Sequence, residues 1–69
     1  PWGDYDFSGL NLEKANLEGI VWQQILLRGA KLKEADFYWA ILYGSDLSEA
    51  NCEETKFWGA DLKEVNFTK

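Results

Sequence analysis

The chain has 69 residues, with twelve Asp and Glu against seven Lys and Arg and a net charge of −5; that length allows one small domain, and that sign excludes nonspecific binding to nucleic-acid phosphates. It has no histidine and one cysteine, Cys52, which excludes Ser/His/Asp and Cys/His nucleophiles and an internal disulfide, so that neither catalysis nor a cofactor or metal is expected. No apolar run approaches the ~18 residues of a membrane-spanning helix.

From its first residues the chain repeats in fives. With the large apolar residue of each block called position i, this position falls at Trp2, Phe7, Leu12, Leu17 and every fifth residue on to Phe67, and eleven of the fourteen are Leu or Phe. Position i−2 holds Ala at six of thirteen places, and position i−1 holds Asp or Asn at eight. In the opening blocks, Trp2, Tyr5 and Phe7 put three aromatics into the i and i−2 columns, a partial cap for the end of a core. The stretch from Asn11 to Leu17 is regular. From Ile20 to Leu27 the pattern loosens: Ile20 and Ile25 replace Ala, and Val21 and Leu26 stand where Asp or Asn is usual. Fives resume on both sides without insertion, so this stretch is expected to stay in phase. From Ala30 the repeat is regular to the end.

A period of five suits neither regular element. On a helix, successive i positions would fall about 140° apart and wander round the cylinder; in a continuous strand, an odd period sends them to alternate faces. Short extended pieces separated by bends solve the problem. Positions i−2 and i then point inward, the other three point outward, and Gly9, Gly19, Gly29, Gly44 and Gly59 all occupy i+2, where a corner needs unusual backbone angles.

These blocks, ADLKE and ANCEE among them, resemble the A(D/N)LXX motif of the pentapeptide-repeat family over nearly the whole chain. The resemblance implies an all-β fold, a right-handed quadrilateral parallel β-helix with four blocks per coil and about three and a half coils here. Residues twenty apart would stack ~4.8 Å apart, as strands do. Trp2, Trp22, Leu42 and Leu62 would then share one column and Leu12, Leu32 and Cys52 another, with Cys52 a buried small hydrophobe. Outside, Glu13, Lys33 and Glu53 would form a ladder of alternating charge that supports register. A solenoid without evident caps reads as one ordered part, residues 1–69, of a longer protein.

Outward carboxylates such as Glu53 and Glu54 lack the burial that tunes an acid/base pair. The functional expectation is instead a noncatalytic scaffold. Tyr38, Trp39, Tyr43 and Trp58 fall at outward positions, and Ile41 and Val21 continue the apolar surface past the next corner. Clustered exposed aromatics mark a contact surface, so these six residues are the candidate site, for a protein partner or for the rest of a longer parent chain. Open main-chain edges at either end would also permit end-to-end self-association. The resemblance supplies an alternative, because some family members mimic duplex DNA and bind gyrase. Full mimicry over ~17 Å would need about ten negative charges, whereas the predicted faces sum to net charges of −2, −1, −1 and −1, with no acidic stripe. No direct contact with nucleic acid and no insertion into a membrane are expected; the expected location is the cytoplasm, with docking onto a membrane protein complex as a variant.

Overall fold

A computed structural model describes residues 5–69, and Trp2 lies outside the described residues. Nine parallel β-bridges join residues twenty apart, from Asp6 with Leu26 to Asp46 with Asn66. The chain is therefore a β-helix solenoid whose coils take twenty residues, four blocks and four corners each. Every bridge runs through position i−1. Val21 pairs with Ile41 and Leu26 with Asp46, so the loosened stretch from Ile20 to Leu27 stays in phase, as its spacing predicts.

The block from Ala35 to Trp39 shows how the backbone is satisfied. Ala35 N–H closes the preceding corner on Leu32 C=O at 2.9 Å, Asp36 N–H reaches down one coil to Ala15 C=O at 2.9 Å, and Phe37 N–H reaches up to Lys56 C=O at 2.7 Å. Tyr38 N–H donates to Asp36 Oδ1 at 2.9 Å, and Trp39 N–H reaches up to Trp58 C=O at 3.0 Å. All five donors are used, which answers where a buried turn's hydrogen bonds go. The fourth of these bonds explains the Asp/Asn column. Each of its eight members, Asp6, Asn11, Asn16, Asp36, Asp46, Asn51, Asp61 and Asn66, accepts the amide two residues on. Position i−1 is thus a local acceptor as well as an outward residue, and the Asp or Asn side-chain oxygen has the reach that this turn needs.

Every i+2 residue from Gly9 to Glu64 has a positive φ, between 55° and 76°. Glycine was the expected occupant, yet Lys14, Gln24, Glu34, Trp39, Glu49, Glu54 and Glu64 adopt the same conformation. Eleven of these twelve corners close with an N–H to C=O bond across the turn. At the corner from Trp22 to Ile25, the Ser45 hydroxyl takes its place. Ile25 N–H donates to Ser45 Oγ at 3.1 Å, and Ser45 Oγ–H donates to Trp22 C=O at 2.9 Å.

The inward columns form the core, but burial is complete only where a coil has neighbours on both sides. Ile25, Leu27, Ala30, Leu32, Ala35, Phe37, Ala40, Leu42, Leu47 and Ala50 are buried, while Phe7, Leu12, Leu17, Trp22, Phe57 and Leu62 pack against them from the ends. Cys52, expected to be buried, is half-buried for the same reason. Tyr5, expected to point inward, is largely exposed and lies over Phe7, with ring centroids 6.1 Å apart. Aromatic contacts continue from Phe7 through Trp22, Phe37 and Phe57 to Phe67. The expected ladder of Glu13, Lys33 and Glu53 does not form ion pairs. Among the described residues the salt bridges are Arg28 with Asp46 at 3.8 Å and Lys63 with Asp61 at 4.0 Å, so register is set by the backbone bonds.

Candidate functional site

The candidate residues occupy one side of the solenoid, residues 20–22, 40–42 and 60–62, together with the corners that bound it. At the first corner, Trp39 is the one aromatic among the left-handed residues, with φ 63°. A side chain there costs about 1–2 kcal/mol relative to ordinary helical or extended backbone, as at the other non-glycine corners, and Trp39 remains 55% exposed. Its indole lies across the corner one coil above. A Cβ added at Gly59 would come within 2.4 Å of Trp39 Cε3, so the bare glycine is the seat of the ring. Trp58, 68% exposed, meets the same ring with centroids 4.7 Å apart and planes at 81°. This edge-to-face arrangement sets the positive edge of one indole against the negative face of the other. Tyr38, in the column below Trp58, is half-buried.

Along the flat side, Val21 and Ile41 are joined by their bridge; Val21 is exposed and Ile41 half-buried. Val21 also borders an open cleft of ≈ 210 Å³ whose other walls are Tyr5, Phe7, Trp22 and Ile25. At the far corner Tyr43, half-buried, donates its hydroxyl to Glu64 Oε2 at 3.1 Å. That hydrogen bond and the nearby carboxylate charge raise the phenol above its ordinary pKa, so the hydroxyl stays protonated at neutral pH.

The six expected residues therefore share one side and its corners. Two pairs are in direct relation, Trp39 with Trp58 and Val21 with Ile41. Tyr43 is turned to its own partner, and Tyr38, Ile41 and Tyr43 are less open than outward positions imply. Sequence reasoning missed Gly59 as the seat of Trp39 and Glu64 as the partner of Tyr43. Both were within reach of the register, since they lie twenty and twenty-one residues later. It also missed the exposed Leu10 and Phe67 in end coils.

Among the described residues no cluster of His, Cys, Asp or Glu is arranged to hold a metal ion, and no helix is long and apolar enough to cross a membrane. Burial raises the pKa of the Cys52 thiol, which keeps it in the unreactive protonated form.

Comparison with known proteins gives three findings. The family model for pentapeptide repeats matches residues 11–48 and 45–69, in eight copies. No curated protein matches. Among solved structures, a pentapeptide repeat protein from the Arabidopsis thaliana thylakoid lumen is 32% identical and covers 93% of this chain, with a TM-score of 0.46; this chain spans 48% of that one.

Proposed function

The chain belongs to the pentapeptide-repeat family, and from that premise we propose that it is a noncatalytic interaction module whose rigid coil presents the Trp39–Trp58 corner to a protein partner. The finer geometry proposed for the coil is the right-handed quadrilateral form that the family resemblance implies, which a register of twenty residues supports. One observation carries the functional reading. Two tryptophans, Trp39 and Trp58, project into solvent from one corner and pack edge to face, and clustered exposed aromatics commonly mark a contact surface. Half-buried Tyr38, Ile41 and Tyr43 and exposed Val21 extend the contact along the adjoining side, as a rim to the exposed aromatic centre.

The test is capture of partners from native lysate by the wild-type chain and by Trp39→Lys/Trp58→Lys, with identification by mass spectrometry. Proteins held by the wild type and lost from the variant are the expected result. Gyrase retained equally by both would replace this reading with the DNA-mimic alternative, which the family resemblance supplies and with which the acidic net charge agrees. If neither form retains anything specific, the face is assigned to packing within a longer parent.

A further inference from the structure

Granted the contact role proposed above, on which this assignment rests, the geometry points to an arginine-bearing segment of a protein as the occupant, its guanidinium lying against the Trp39–Trp58 pair. The rings are fixed before any partner arrives. Gly59 seats the Trp39 indole, and the perpendicular Trp58 braces it at 4.7 Å, so little ordering remains to be done on binding. Both rings stay more than half open, and an open indole face is the preferred aromatic partner of a cation.

The charges around the pair have the matching sign. Residues 18–24, 38–44 and 58–64, which make up the side and its two corners, contain Glu18, Asp61 and Glu64 against the single cation Lys63. Lys63 already lies 4.0 Å from Asp61. On the side behind, Asp36 and Lys56 are joined by a bridge and offset one another. The chain's one arginine, Arg28, sits at a different corner beside Asp46. Between the two cationic side chains, the planar and weakly hydrated guanidinium stacks on an indole better than an ammonium does.

The experiment compares two short disordered peptides, one carrying two arginines and its twin carrying citrulline at both places, titrated into the ¹⁵N-labelled chain. The readout is the indole N–H signals of Trp39 and Trp58, with the half-buried Trp22 as internal reference. The arginine peptide should shift the two exposed indoles, and its citrulline twin should bind more weakly. Trp58→Leu should lose about two- to five-fold in affinity, the range an exposed cation–π contact supplies. Asp61→Asn should weaken binding while leaving the indole pair in place. Equal shifts from both peptides would overturn the cationic assignment and leave the aromatic contact face intact. No shift from either would overturn it as well, the contact role then being judged by partner capture alone. Arginine-peptide binding that Trp58→Leu does not reduce would show general attraction to an acidic surface and sink the assigned site. An unchanged melting curve for Trp58→Leu guards against misfolding as the cause.

Discussion

A single backbone angle, repeated at every corner, governs the residue scale. Among the described residues, seven other than glycine hold a positive φ that places Cβ close to the following carbonyl, at about 1–2 kcal/mol each. Glycine removes that term but loses more freedom on folding, by roughly 0.5–1 kcal/mol. Glu54, exposed at φ 56°, makes no described side-chain contact, so Glu54→Gly should stabilise the chain by up to about 1 kcal/mol. A denaturant melt in which the variant is less stable would show that its side chain contributes something the corner needs. The Asp acceptors give a second prediction. Asp6 and Asp46 are both held below the ordinary carboxylate pKa, first by the neighbouring Ser8 and Ser48 hydroxyls, then by the amides of those residues, with a smaller pull from Arg28. At Asp46 the amide, at 2.9 Å, is the firmer contact, because Ser48 Oγ meets no partner at hydrogen-bond geometry. Lowered folded-state pKa values mean that this stability is fully present above the unfolded value of about 3.9 and is lost as pH falls through the folded one. The melting temperature should therefore drop on acidification below about pH 4. Asp46→Asn keeps an oxygen to accept the Ser48 amide, so it should keep stability at neutral pH while making that acid limb shallower. An unchanged limb would mean that other carboxylates control it.

At the scale of one coil, the corner from Trp22 to Ile25 is the informative departure. Ile25 occupies a column built for Ala and is nonetheless buried, and its corner is held by Ser45 from the coil above. Thr55 makes a related link, its Oγ1–H donating to Leu32 C=O at 2.7 Å. Hydroxyls at i−2 thus act as inter-coil clamps on carbonyls one coil below. Ser45→Ala should leave Ile25 N–H and Trp22 C=O without their bridge and cost about 1–3 kcal/mol, with faster hydrogen exchange at the Ile25 amide. A slow Ile25 amide in the variant would mean that the corner can close on itself. The sequence announced a departure here through Ile20, Val21, Ile25 and Leu26. It could not give the remedy, because Ser45 looks like an ordinary small residue until the coil above brings it to that corner.

At the scale of the whole molecule, stability is concentrated in the one coil that is covered on both sides. Phe37 is fully buried there, with its ring parallel to that of Phe57 at 5.6 Å. Phe37→Asp would replace that packing with a buried charge lacking a partner, and the chain should unfold. Retention of its β-type circular dichroism and melting temperature would refute the inward assignment of position i. The same variant at an end, Phe67→Asp, should be far milder, since Phe67 is 41% exposed.

The phase, the inward columns and the side on which the aromatics gather are legible in the residues alone, and the coil of twenty in the family resemblance that they carry. A period of five repeated thirteen times is stronger than any local propensity, and one phase error would turn every Leu and Phe outward. The side-chain contacts between coils come into being only in the folded chain. Trp39 rests on Gly59, Trp58 stands perpendicular to it, Tyr43 turns to Glu64 and Ser45 repairs a distant corner. Each of these contacts joins residues nineteen or more apart, and each depends on a rotamer or an open turn. Register brings such residues within reach, but the side-chain torsions that complete the contact are chosen by packing against the coil above.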